Sequence, residues 1–249
     1  MPVDARPEHR QRAYRVRLEW GREGAELLAA ECAAVIVVDV LSFCTAVDVA
    51  AGRGAAILPQ LWSVGDTGGD PAAQARALGV QPAGPRDGSG PSLRPSSLVD
   101  LPAGTRLGLP SPNGATLCAT VSATGAVLFA GCLRNASATA AAALAVDGPI
   151  GLVPAGERWP GGTLRVAVED ALGAGAIAAA LPAADLSPEA ELAVAQFVAA
   201  RDRGLATVLA ATASGRELVA DGYAADVTLA AALDTSVLAP RLQAGLLRA

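Results

Sequence analysis

The chain has no lysine, one histidine (His9) and few aromatic side chains, 3% of its residues. Without lysine there is no Schiff-base chemistry and no P-loop lysine, and one histidine excludes histidine phosphatases and His-rich zinc sites. His9 lies in a polar N-terminal stretch and reads as a solvated tail residue. The 19 basic residues are all arginine and are scattered through a chain of net charge −5, so the basic stripe of a nucleic-acid face is absent. No apolar run reaches the ~20 residues that span a bilayer, and residues 1–14 are charged rather than an apolar signal segment. A cytoplasmic protein is expected, with neither nucleic acid nor membrane as partner. Cys32, Cys44, Cys118 and Cys132 show no CxxC spacing and read as reduced, buried thiols. None is followed six residues later by arginine, so the loop of cysteine phosphatases is not encoded. Chemistry is left to carboxylates, hydroxyls, amides, arginine, backbone and a bound metal.

What is present is 249 residues, 52% of them hydrophobic, enough for one large α/β domain or two small lobes. Residues 14–20 alternate like a half-buried strand, 22–32 read as a helix, and 34–40 are a Val/Ile-rich run suited to a strand covered on both faces. A helix over 42–52 and a strand over 55–60 complete a β-α-β unit. Residues 63–104 turn to Gly, Pro, Ser and Asp, broken by a short helical run at 71–78, and read as an irregular excursion. Strand–helix alternation then resumes, with strands at 105–109, 126–130 and 150–155 and helices at 115–122, 136–145 and 166–181. Residues 187–249 read as helical packing. After a tail of 1–13, the expectation over 14–249 is a three-layer α/β/α domain with a largely parallel sheet, whose ligands gather at the carboxyl ends of the strands.

The polar residues follow that rule. Asp39 closes the most apolar strand, where an unpaired carboxylate is costly; the alternative role is a cap for the next helix. Glu169 and Asp170 are adjacent acids in an apolar segment, reaching one ligand together only near a helix start. With Asp39 they offer three oxygen donors for Mg²⁺, leaving positions for water and substrate phosphate. Ser111, Asn113 and Gly114 form one loop feeding a helix N-terminus, and Asn135 with Ser137 forms another. Backbone N–H groups at such ends bind phosphate or sulfonate oxygens, although the same residues are also ordinary turn formers.

The runs Val35-Ile36-Val37-Val38-Asp39-Val40-Leu41 with Thr45, Ser111-Pro112-Asn113-Gly114-Ala115, Asn135-Ala136-Ser137, Ala155-Gly156-Glu157, Glu169-Asp170 with Gly173-Ala174-Gly175-Ala176-Ile177, and Ser214-Gly215-Arg216-Glu217-Leu218 stand in the order seen in 2-phosphosulpholactate phosphatases. The chain resembles that family over about residues 14–245. The resemblance implies an α/β fold peculiar to the family, Mg²⁺ dependence, a homodimer, and hydrolysis of a small anionic phosphomonoester, 2-phosphosulpholactate, to 3-sulpholactate. Carried over by position, Asp39, Glu169 and Asp170 form the metal and catalytic cluster, while Asn113, Asn135 and Ser137 line the substrate. The chain departs from the pattern at Ser42-Phe43-Cys44, where the family continues with arginine. It departs again at Gly84-Pro85-Arg86-Asp87-Gly88, which keeps Arg86 and loses an acid. Arg86, with Arg134 or Arg158, would meet the second anionic group. Two rival readings remain: a phosphatase for another small phosphorylated acid, and a non-catalytic anion-binding protein on the same scaffold.

Overall fold

A computed structural model of the chain describes residues 6–62 and 70–249; residues 1–5 of the expected tail and 63–69 of the expected excursion lie outside the described residues. Along the chain run β1 (Val16–Leu18), α1 (Gly21–Ala29), β2 (Ala34–Val38), α2 (Phe43–Gly52), β3 (Ala56–Leu61), α3 (Pro71–Ala77), β4 (Gln81–Pro82), β5 (Arg106–Ser111), α4 (Gly114–Ser122), β6 (Val127–Gly131), α5 (Ala136–Leu144) and β7 (Ile150–Pro154). A small hairpin, β8 (Glu157–Arg158) and β9 (Leu164–Arg165), precedes α6 (Val168–Ala179), α7 (Pro188–Asp202), α8 (Leu205–Ala211), α9 (Ala213–Ala220) and α10 (Ala224–Ala230), and the chain closes on β10 (Arg241–Gln243) and β11 (Leu246–Arg248).

All five residues of β2 are buried, as the Val/Ile run requires when helices cover both sheet faces. Ala34, Ile36 and Val38 pack with α5, α6 and α7. Val35 and Val37 point to the opposite layer with α1, α2 and α4. The result is a three-layer α/β/α arrangement. Small residues set the spacing within it: a Cβ on Gly175 of α6 would run into the Ala193 carbonyl of α7. Helix starts follow their side chains, Asp70 accepting from Ala72 N, Ser187 from Ala190 N and Thr212 from Gly215 N, each satisfying a donor the helix leaves open. Among the described residues no helix is long and apolar enough to cross a membrane.

The nine-stranded sheet has the order β1-β7-β2-β6-β10-β11-β3-β5-β4. Two blocks, β1-β7-β2-β6 and β3-β5-β4, are parallel throughout. The β10–β11 hairpin joins them, antiparallel to β6 on one side and to β3 on the other. Helical packing was expected to continue to the C-terminus, so the hairpin is a correction. Its strands are three residues each, too short for the alternation of apolar and polar residues to show. Three antiparallel pairings in succession reverse the sense of the second block. Twist offsets this: at about 20–25° per strand, the five steps from β2 to β5 bring the carboxyl ends of the two blocks back towards each other. β4, inside the expected excursion, pairs with β5 at the sheet edge. Near the N-terminus, the Gln11 side chain donates to Leu18 O at 2.9 Å and accepts from Leu18 N at 3.0 Å, which binds this segment to β1.

Candidate active site

Asp39 and Asp170 tie the site together. Asp39 follows β2, and its Oδ1 accepts from Phe43 N at 3.0 Å while Oδ2 accepts from Gly114 N at 2.8 Å. Those are the first residues of α2 and α4, so one carboxylate caps two helices and fixes the end of β5 beside the end of β2. A Cβ on Gly114 would stand 2.6 Å from Phe43 Cδ1 and 2.7 Å from Asp39 Oδ2, so only glycine permits that approach. Asp170, in the first turn of α6, accepts from Val40 N at 2.8 Å and Gly156 N at 2.9 Å, joining the segments after β2 and β7. Burial pushes both carboxyls above the usual range, against the pull of these N–H donors.

A cleft of about 210 Å³ opens on Asp39, with Leu41, Ser42, Trp62, Arg86, Leu93, Ser111, Pro112, Asn113 and Glu157 around it. Among the described residues Arg86 is the only basic side chain in that lining, and its Nη1 and the Ser42 Oγ are both buried without a hydrogen-bond partner. A buried unpaired donor costs about 1–3 kcal/mol, so two in one cleft mark where an acceptor-rich ligand would sit. The turn carrying Arg86 is held by Gly84 N donating to Pro91 O and Arg94 Nη2 donating to Gly88 O at 3.0 Å. Arg94 also lies over the Tyr223 ring, and Ser96 N donates to Asp226 Oδ1 at 2.7 Å. The C-terminal helices thereby anchor the excursion.

Glu157 closes the far side, its Oε2 accepting from Asn113 Nδ2 at 2.8 Å. Burial, and then the charge of Asp39, push its carboxyl up to about 7. Ser111 is buried, and its Oγ accepts from Asn113 N at 3.3 Å. Glu169, on α6, is also buried, with no hydrogen-bond partner among the described residues.

Asp39, Arg86, Ser111 and Asn113 therefore meet at the cleft, and the Gly114 N–H holds Asp39 there. Asn135 and Ser137 do not reach it. The Asn135 amide accepts from Cys132 N and donates to Ala130 O, closing the turn after β6. Ser137 is bound through its N–H and hydroxyl to Asp234 at an exposed surface. Arg134 forms an ion pair with buried Asp48 at 2.8 Å. Asn135 and Ser137 lie beyond the strand end, where position in the sequence resembles a ligand loop, but the Asn135 side chain turns back on the backbone and that of Ser137 is taken by Asp234. Sequence reasoning met Ser42 only as the point where the chain departs from the family's arginine, and gave Glu157 no role. The signals for Glu157 were the strand end before it and the Ala155-Gly156-Glu157 run.

The three acids Asp39, Glu169 and Asp170 do not form a closed coordination set. Among the described residues no three His, Cys, Asp or Glu side chains are grouped to hold a metal ion, and Asp39 and Asp170 turn each oxygen to a backbone N–H. One or two carboxylates suffice for Mg²⁺ when substrate phosphate and water complete its octahedron. Positive charge reaches the two cleft carboxylates from different sides, from Arg86 on Asp39 and from Arg165 on Glu157.

A family model described as 2-phosphosulpholactate phosphatase matches residues 85–245, well over half of the 249. Arg86, Ser111, Asn113, Glu157, Glu169 and Asp170 fall inside the match. No match is found among curated proteins.

Proposed function

Because the chain belongs to the 2-phosphosulpholactate phosphatase family of phosphomonoester hydrolases, we propose that this cleft hydrolyses 2-phosphosulpholactate to 3-sulpholactate and phosphate in a Mg²⁺-dependent reaction. The carrying observation is the pair of buried, unpartnered donors, Arg86 Nη1 and Ser42 Oγ, lining one cleft with Asp39 and Glu157. Arg86 binds phosphoryl oxygens and offsets their charge, and Ser42 donates a neutral hydrogen bond. Water attacks phosphorus, the bond from phosphorus to the ester oxygen breaks, and the departing oxygen takes a proton. Glu157, poised near 7 and oriented by Asn113, is the group placed to move that proton. Glu169 and the remaining lone pairs of Asp39 would hold the Mg²⁺, which when bound would neutralise charge on the phosphoryl group.

Another small phosphorylated acid is a second reading, favoured by one observation. Ser42 stands where the family continues with arginine, so a single guanidinium serves two anionic groups. Phosphate release from racemic 2-phosphosulpholactate beside phospholactate and phosphoglycolate, each with Mg²⁺ and with a chelator, tests both. Preference for 2-phosphosulpholactate supports the first reading, and preference for phospholactate or phosphoglycolate, which lack the sulfonate, the second. No release from any of the three would overturn both.

A further inference from the structure

Beside the cleft lies a second cavity of about 400 Å³, lined by Trp20, Leu117, Ala155 and Leu164 on its apolar side, with Arg22, Glu23, Arg158, Gly162 and Thr163 also lining it. The two spaces share two lining residues, Asn113 and Glu157. Those two side chains, joined by a hydrogen bond of 2.8 Å, stand on the boundary of both spaces. The remaining lining combines the ends of β2 and β5 with the loop residues Trp62, Arg86 and Leu93. At 210 Å³ the cleft alone falls below the ~300–1,000 Å³ usual for a small-molecule site, and the second cavity lies within that range.

The second cavity is built into the fold. Its roof is the β8–β9 hairpin, whose Leu164 is seated over two left-handed glycines. A Cβ on Gly156 (φ +68°) would stand 2.5 Å from Leu164 Cδ1, and one on Gly21 (φ +61°) 3.3 Å. Arg158 Nη2 donates to Pro112 O at 3.2 Å, pinning the hairpin to the loop that carries Asn113. Both arginines of the lining are engaged, Arg22 by Glu26 at 3.0 Å and Arg158 by the Pro112 carbonyl, which leaves Trp20, Leu117, Ala155 and Leu164 as an apolar wall beside a polar one.

We propose that this cavity is a leaving-group subsite, and that besides 2-phosphosulpholactate the enzyme accepts phosphorylated 2-hydroxy acids whose third carbon carries an apolar, aromatic-sized body. The inference rests on the phosphomonoesterase reading of the cleft. With the phosphoryl group at Arg86 and Ser42, the carbon chain passes between Asn113 and Glu157 and lays its apolar portion against Leu117, Leu164 and Trp20. Burying a ring there contributes to binding in proportion to the apolar area removed from water.

Two esters of the same chemistry test it, phospholactate and phospho-3-phenyllactate, assayed with Mg²⁺ on the wild type and on Thr163→Trp. Thr163 is exposed in the hairpin turn, so the indole fills the cavity from its rim without entering the core. The expected result is a kcat/KM at least tenfold higher for the phenyl ester, lost in Thr163→Trp, with phospholactate changed less than twofold. Hydrolysis of phospholactate alone, or equal response of both esters to Thr163→Trp, would overturn the subsite and leave the phosphatase reading standing. If neither ester nor 2-phosphosulpholactate is hydrolysed, the phosphatase reading and the subsite fall together.

Discussion

In the proposed reaction Arg86 and Glu157 would divide the work of the cleft between a fixed charge and a titrating one. Arg86→Gln removes the only guanidinium lining the cleft among the described residues and is expected to lower kcat/KM for an anionic phosphomonoester by on the order of 10²–10³-fold. Because Nη1 has no hydrogen-bond partner among the described residues, the thermal midpoint should fall only by what the charge contributes beside Asp39. Glu157 has the opposite signature. Its carboxyl is raised to about 7 in the folded chain by burial and by Asp39, against about 4.3 when unfolded. Between those values the folded state binds the extra proton, so stability falls as pH rises through that interval and the loss is complete above 7. Glu157→Gln should match the wild-type Tm near pH 4 and exceed it by on the order of 10 °C at pH 8, as scanning calorimetry without divalent ions would record. A wild-type advantage at pH 8 would contradict the shift.

At the scale of elements, the carboxylates drawn from sequence as metal ligands are also the joints of the fold. Asp39 holds the starts of α2 and α4, so Asp39→Asn, which turns an amide donor towards a backbone N–H, should cost about 1–3 kcal/mol of stability besides any loss of activity. Denaturant titration separates the two effects. Gly114→Ala presses a methyl group on Phe43 and Asp39 and is expected to destabilise by about 1–3 kcal/mol. Much of this was legible beforehand. The Val/Ile run of β2, the strand–helix alternation and the convergence of Asp39, Ser111 and Asn113 follow from periodicity and from where parallel strands end. Asn135 and Ser137 were placed by the same rule and failed it, because a side chain one turn past a strand end is as easily satisfied by its own backbone or by Asp234. Glu157 was under-read because its meaning comes from an amide 44 residues away, a contact no local pattern encodes.

For the whole molecule, the joint between the two parallel blocks is the C-terminal hairpin, which the sequence did not announce. Leu247 of β11 is fully buried and pairs with Ile57 of β3. Leu247→Ala should therefore destabilise by about 2–5 kcal/mol, read from the denaturation midpoint, and a smaller loss would show that the blocks hold together without it. The excursion belongs to this scale too, since Arg94 and Asp226 anchor its Arg86 turn to helices more than a hundred residues away. The most direct test of the account compares phosphate release from 2-phosphosulpholactate by wild type, Arg86→Gln and Ser137→Ala at saturating Mg²⁺. Catalysis at the cleft predicts release that falls at least a hundredfold in Arg86→Gln and stays within twofold in Ser137→Ala. Full activity in Arg86→Gln, or its loss in Ser137→Ala with the fold intact, would place the chemistry elsewhere.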